Sequence, residues 1–259
     1  MNVRSIGLAT ELSLVATRGQ ILHRADCLVV RTPDDPSSYY GNALILGSAP
    51  QAGEVAYWAR RFSEELGDNS EIKHITLCWD GITGDAGARE ELEAAGFVIE
   101  TNQVMITEQL ADVPRPAGVR VLEPDELAAV GELAFAVSDR HDEAHWQFTL
   151  RRTAWQRTLI TRGLGEFWGA FDGDQLVGSL GLVTLDGLAR YQDVQTATSH
   201  RGRGIATALL TAAGTRALSR GVERLVIVAI PDSTAARVYR RAGFRTIELT
   251  ASACRYPSG

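Results

Sequence analysis

Short apolar runs and amphipathic stretches alternate along the chain, and their spacing predicts its elements. Residues 27–30 (Cys-Leu-Val-Val) and 43–46 (Ala-Leu-Ile-Leu) are unbroken apolar runs on either side of the turn-rich stretch Thr32-Pro-Asp-Asp-Pro-Ser-Ser38, so both read as buried strands. Val55, Trp58, Ala59, Phe62 and Leu66 share one face of a helix over 54–66. A strand follows at 73–79, then a helical segment from Asp85 that exits through Gly96-Phe97. Pro114 and Pro116 deny a helix and predict an extended connector.

The second half opens with a strand at 119–122 and a helix through Leu127, Val130, Leu133, Ala134 and Val137. A polar helical region covers 139–162. Two alternating strands, 167–171 and 176–183, meet at Asp172-Gly173-Asp174, a strong hairpin signal. A strand at 188–196 then runs into a polar, glycine-bearing corner, and an Ala/Leu-rich helix starts at once from Ile205. An apolar strand at 224–230, a helix carrying Tyr239 and a closing strand near 246–255 complete the order. The class is α/β in the α+β sense.

The two halves repeat. A shift of 147 residues superposes Asp85 on Asp232, Ala88 on Ala235, Ala95 on Ala242, Gly96 on Gly243 and Phe97 on Phe244, with an apolar strand before each. Such matches predict an internal duplication. Leu92 stands opposite Tyr239, however, so the first copy lacks the second's polar group.

At 259 residues and 45% hydrophobic content the chain is long enough for two packed domains. No apolar run approaches the roughly 20 residues that span a bilayer, and the charged N-terminal stretch does not read as a signal peptide. A cytoplasmic protein with no membrane partner is expected. Three widely spaced cysteines, Cys27, Cys78 and Cys254, suggest core thiols, with no disulfide framework and no metal site. The net charge of −6 is uneven: residues 1–115 carry 9 basic against 17 acidic side chains, and the remainder 17 against 15. A weakly positive second half suits a phosphate-rich ligand but falls short of a nucleic-acid-binding stripe.

The corner at 196–210 carries the chemistry. Where a strand turns tightly into a helix, the first helical amides lack internal partners and, with the macrodipole, form a cup for phosphate. Gly202 and Gly204 allow close approach, and Ala206 keeps the next turn slim. The Walker pattern requires a terminal Gly-Lys-Ser/Thr, which is absent, and the dinucleotide fingerprint requires a glycine where Thr207 stands. Instead, Arg201-x-x-Gly204-x-Ala206 resembles the acetyl-CoA pyrophosphate loop of the GNAT superfamily of N-acetyltransferases. A second stretch, Asp232-Ser233-Thr-Ala235 through Tyr239 to Gly243-Phe244, resembles that superfamily's other signature, with Asp232 in place of the usual asparagine.

The resemblance covers about 118–250 and implies tandem GNAT-like domains, each a mixed, mostly antiparallel sheet flanked by helices. It places a degenerate domain without the acetyl-CoA loop at 1–112, a linker at 113–117 and a catalytic domain at 118–259. Tyr39-Tyr40-Gly41-Asn42 resembles a segment of such worn halves. The implied activity is transfer of an acetyl group from acetyl-CoA to a primary amine by direct attack in a ternary complex, without a metal. Val194, Gln195 and Thr196 map to the pantetheine-binding strand. Arg201, Gly202, Arg203, Gly204, Ile205, Ala206 and Thr207 map to the phosphate corner, and Asp232, Ser233, Tyr239 and Arg241 to the second signature. Tyr239 takes the general-acid position.

The general base stays open among Asp193, Glu143, His141, His145 and a water-mediated route. So does the acceptor, a small molecule or a peptide amine, and so does monomer against homodimer. A regulatory module that binds acyl-CoA with little or no transfer shares every cofactor residue. A mononucleotide-binding fold is a third reading.

Overall fold

A computed structural model describes residues 2–112 and 118–257, so the expected linker 113–117 lies outside the described residues. Two compact units emerge: Met1–Val104 with Thr246–Gly259, and Met105–Arg245.

The first unit begins with helix α1 (Ile6–Val15) and strand β1 (Gln20–His23), neither of which the hydrophobic pattern disclosed. Strands β2 (Cys27–Arg31), β3 (Ala43–Leu46) and β4 (Ile75–Trp79) coincide with the apolar runs, and α2 (Val55–Leu66) with the amphipathic stretch. Helix α3 (Arg89–Ala94) leads into β5 (Val98–Thr107). Strands β1, β2 and β3 form an antiparallel meander, and β3 pairs in parallel with β4 after the α2 crossover. The loop before β3 is organised by Asn42, which accepts from the Thr32 amide and donates to the carbonyls of Asp35 and Ser38.

The second unit follows the same plan. It holds β6 (Val119–Val121), a short 3-10 turn, α4 (Leu127–Val137), α5 (Glu143–Thr161), β7 (Gly165–Asp172), β8 (Gln175–Leu185), β9 (Leu188–Thr196), α6 (Ile205–Ser219), β10 (Arg224–Ala229) and α7 (Thr234–Arg241). Strands β6 to β9 are successive antiparallel neighbours, and β9 meets β10 in parallel across the α6 crossover. The hairpin between β7 and β8 turns through Gly173 and Asp174, with Asp172 opposite Gln175. Each unit is thus a mixed, mostly antiparallel sheet flanked by helices. The repeat extends to hydrogen bonds: the Phe97 amide donates to the Leu92 carbonyl, and, 147 residues on, the Phe244 amide to that of Tyr239.

The closing strand β11 (Arg245–Arg255) departs from the boundary expected at 113–117. It pairs antiparallel with β4, Ser252 opposite Cys78 and Ala253 opposite Leu77, and buries Ala251, Ala253 and Cys254 in the first unit. The physical reason lies in the repeat. Strands β5 and β11 follow α3 and α7 in the same order, with apolar Val104 and Ile106 at the places of Ala251 and Ala253, so local pattern alone does not choose the sheet that receives each.

The second unit's core places Leu209, Leu210, Ala212 and Ala213 of α6 on Leu180, Leu182, Ala189, Leu225 and Ile227 of the sheet. Tyr191 is buried with them and donates its hydroxyl to the Leu210 carbonyl at 2.7 Å. That bond ties β9 to α6, the two elements on either side of the phosphate-type corner. A Cβ at Gly214 would collide with Tyr191, Leu110 and Leu225, so glycine is what lets this helix lie close to the strands. No helix among the described residues is long and apolar enough to cross a membrane.

Candidate active site

A register shift in β9 creates the site. Ser179 of β8 lies opposite Gln195, whereas Gly181 lies opposite Gln192, so Asp193 and Val194 stand against a single residue of β8. This is a β-bulge, and Asp193 takes the left-handed conformation at φ 52° that it requires. On the other edge, the β9 to β10 ladder covers only residues 188–190 against 224–226. Beyond that the two strands part. Val194, Gln195 and Thr196, past the end of that ladder, line a cleft of about 620 Å³.

Beyond Thr196, a 3-10 turn at Thr198–His200 leads to Gly202 and Gly204, both at φ 79°. Gly204 is the N-cap of α6, with no side chain closing it, and the amides of Ile205, Ala206 and Thr207 head the helix. A Cβ at either glycine would meet nothing within 4 Å, so the left-handed backbone, not crowding, calls for glycine. Arg201, Gly202, Gly204, Ile205, Ala206 and Thr207 line the cleft, joined across it by Thr234, Val238, Tyr239 and Arg241 of α7. Val137 and His200 also line it; the motifs gave no signal for Val137, which is an ordinary apolar position of α4. The lining contains two arginines and no carboxylate.

Three expected contributors stand aside. Arg203 is exposed and donates to the Ser199 carbonyl. Asp232 is exposed at φ 57°, and its carbonyl accepts from Arg237. Ser233 caps α7, accepting from the Ala236 amide at 3.1 Å. None of the three lines the cleft.

Tyr239 is 6% exposed, and burial pushes its phenol up to about 12. Its ring tilts against Phe244 at 6.4 Å. No partner for the Tyr239 hydroxyl occurs among the described residues, which leaves it available to whatever occupies the cleft.

The base candidates lie elsewhere. Asp193 accepts from Arg152 Nη2 at 2.6 Å, from Arg152 Nε at 3.0 Å to both oxygens, and from Gln156 Nε2 at 2.7 Å. These three N–H donors engage both of its oxygens. Glu143 is exposed at the start of α5, accepts from Gln147 Nε2, and faces a shallow depression with Phe135, His141 and Trp146. His145 stacks between Phe135 and Phe148.

A second cavity, of about 240 Å³, is formed by α4, α5 and the bulge of β9. It shares Val194 and Gln195 with the lining of the larger cleft. No cluster of three or more His, Cys, Asp or Glu side chains suited to a metal occurs among the described residues.

In unit 1 the corresponding turn carries acidic side chains on its amides. Between β3 and α2, the Gly53 amide donates to Glu91 Oε2 at 2.6 Å and the Gln51 amide to Glu54 Oε2 at 2.9 Å.

Residues 131–244 match the model of the Acetyltransferase (GNAT) family. No curated protein matches the chain in sequence. Among solved structures, a conserved protein of unknown function from Staphylococcus epidermidis ATCC 12228 is similar at a TM-score of 0.76 and 14% identity, covering 93% of this chain and 95% of that one. A GCN5-related N-acetyltransferase from Kribbella flavida is similar at 0.66 and 17% identity, covering 97% and 94%. A tandem GNAT protein from the clavulanic acid biosynthesis pathway is similar at 0.54 and 16%, covering 83% and 74%. At these identities the likeness is one of fold.

Proposed function

We propose that this protein transfers an acetyl group from acetyl-CoA to a primary amine, a reading supported by the match of residues 131–244 to the Acetyltransferase (GNAT) family model. The observation that carries the reading is the cleft lined by the end of β9, the head of α6 and α7. Its anion-ready end at α6, its open strand edge at residues 194–196 and its buried phenol, Tyr239, all face one space. The amides of Ile205, Ala206 and Thr207, with Arg201 and Arg241, suit a diphosphate, since a helix N-terminus and two cations favour an anion there. The edge of Val194, Gln195 and Thr196 suits an amide-bearing arm held by strand-like hydrogen bonds.

Acetyl-CoA supplies an acyl carbon activated as a thioester. The amine nitrogen bonds to that carbon as the carbon–sulfur bond breaks, and the proton the nitrogen sheds balances the one the sulfur gains. Tyr239 donates a hydrogen bond to the departing sulfur. With its pKa near 12, outright proton transfer to a thiolate of ordinary pKa about 8.5 costs about 5 kcal/mol, so its part is stabilisation of charge and placement. Asp193 is a positioning residue in this reading, held in the bulge by Arg152 and Gln156. The amine loses its proton to solvent or through water.

A second reading, an acyl-CoA-binding regulatory module, is favoured by the lack of a carboxylate in the cleft lining. Calorimetry with acetyl-CoA and turnover over an amine panel, in wild type and Tyr239→Phe, separate the two. Turnover that falls in the variant supports the enzyme; binding without turnover supports the module; no binding of acetyl-CoA sinks both.

A further inference from the structure

One side chain ties the glycine corner of the cleft to the β7–β8 hairpin. His200 closes the 3-10 turn at Thr198–His200 and lines the cleft beside Arg201, Gly202 and Gly204. Its Nε2 lies 3.1 Å from Asp172 Oδ2, at the end of β7, and an ionised carboxylate only accepts, so Nε2 carries a proton. Its Nδ1 lies 2.9 Å from Ser199 Oγ. A hydroxyl donates or accepts as it turns, so Nδ1 accepts from it in the neutral ring and donates to its oxygen in the charged one. The His200 side chain, 13% exposed, therefore gains or loses a charge in place, with both bonds kept.

The charges around this ring give its protonation a consequence. From the hairpin it faces the exposed carboxylate of Asp172, and Asp174 of the same hairpin lines the adjoining groove with Ser199. From its own loop come Arg201, which donates to the Thr196 carbonyl, and Arg203, which donates to the Ser199 carbonyl. Across the cleft stand Tyr239 and Arg241 of α7. With His200 neutral, the negative charge of Asp172 opposes an anion in the corner. With His200 charged, the two cancel, and the same anion meets one more positive charge. The carboxylate itself favours the charged ring. A ligand that prefers the charged form must in return raise the ring's affinity for its proton.

We infer that His200 is a proton-linked member of the phosphate corner, charged when a diphosphate occupies it, so that the diphosphate of acetyl-CoA is held more tightly as pH falls through neutrality. This rests on the acetyl-CoA reading above. Asp172 is the positioning residue: it orients the ring and holds the proton on it, while the Ser199 hydroxyl adapts to either form. The cofactor corner is thereby coupled to pH through a hairpin that lies outside both sequence motifs.

The test uses the full chain with 3′-dephospho-coenzyme A as probe. The 3′-phosphate of the intact cofactor is a monoester that itself titrates at about pH 6, whereas the diphosphate does not titrate near neutrality. Calorimetry at about pH 6 and about pH 8, each in two buffers of different ionisation enthalpy, reads both affinity and protons taken up. The wild type is expected to bind about three- to tenfold more tightly at the lower pH and to take up a fraction of a proton at about pH 7. His200→Gln keeps a donor for Asp172 but cannot titrate, so it is expected to bind equally at both pH values with no uptake. Asp172→Asn keeps an acceptor for Nε2 but removes the charge, so its uptake is expected to peak at a lower pH. Proton NMR of the His200 ring, assigned by the signal lost in His200→Gln, is expected to show titration at a higher pH with the probe bound than without it. The inference is overturned if wild-type affinity ignores pH, if no proton is taken up, if His200→Gln keeps the pH dependence, if Asp172→Asn leaves the uptake maximum in place, or if the His200 signal titrates alike with and without the probe. Absence of binding at both pH values overturns the acetyl-CoA reading, and this inference with it.

Discussion

Asp193 and Arg152 meet side-on, with Arg152 Nη2 at 2.6 Å and Nε at 3.0 Å from the carboxylate, where β9 bulges and Asp193 adopts a left-handed backbone. The pair joins α5 to the strand whose edge opens on the cleft. Asp193→Asn weakens this tie and leaves the side chain near its place. It is expected to lower kcat/KM about tenfold while the shape of the pH–rate profile stays as in wild type. A general base would instead lose its limb of that profile, so pH–rate measurements on both proteins decide the role. Arg152→Ala leaves a half-buried carboxylate short of its main partner and is expected to cost about 1–3 kcal/mol in denaturant unfolding.

Tyr239→Phe removes a phenol that has no partner among the described residues. Calorimetry is expected to find acetyl-CoA affinity within threefold of wild type, while kcat falls roughly 10–100-fold. Stability at neutral pH is expected to change little. At alkaline pH the sign is definite: the phenol ionises near 10 when unfolded and near 12 when folded, so the folded state holds more protons between those values and stability falls as pH rises through them. The variant is expected to show a shallower decline over pH 10 to 12 in thermal unfolding.

Gly204→Ala tests the helix cap. Because a Cβ there meets no atom, the cost is the left-handed backbone alone, about 1 kcal/mol, or roughly 2–4 °C in Tm for a unit of this size. Affinity for acetyl-CoA, read by calorimetry, is expected to drop in parallel, since relaxing the cap turns the leading amides of α6 away from the cleft.

Glu126 and Arg120 form a two-pronged pair at 2.6 and 2.8 Å, and the guanidinium holds the Glu126 carboxyl down at about 2. A depressed carboxylate stabilises the fold above its unfolded pKa, and the contribution is lost as pH falls from about 4.5 to 2. Thermal unfolding across that window is expected to be flatter in Glu126→Gln than in wild type. Both side chains are partly exposed, so 1 M salt is expected to shrink the difference.

Gly214→Ala inserts a methyl group between α6 and the sheet, against Tyr191, Leu110 and Leu225. Overpacking of this kind costs about 1–3 kcal/mol in equilibrium unfolding. It also strains the Tyr191 hydrogen bond to Leu210 that holds α6 beside β9, so acetyl-CoA binding is expected to weaken with it.

The sequence by itself determined the strands with unbroken apolar runs, the hairpin at 172–175, the glycine corner at 201–206 and the placement of Tyr239, because each depends on neighbours within a few residues. Periodicity, turn chemistry and capping are local, and two motifs at a set separation carried the resemblance that the family model matches over residues 131–244. It also disclosed the repeat, whose second copy carries Tyr239 where the first has Leu92. What only the tertiary structure decided was non-local. Strand β11 pairs with β4 in the first unit, a pairing of residues far apart in sequence that no local pattern encodes. Asp193, a plausible base by position, is engaged by Arg152 and Gln156 from a helix 37 or more residues away. Gln156 itself carried no sequence signal: a glutamine in a polar helix looks solvated until the fold buries its amide, fixes one end against a carboxylate and leaves the other end unpaired.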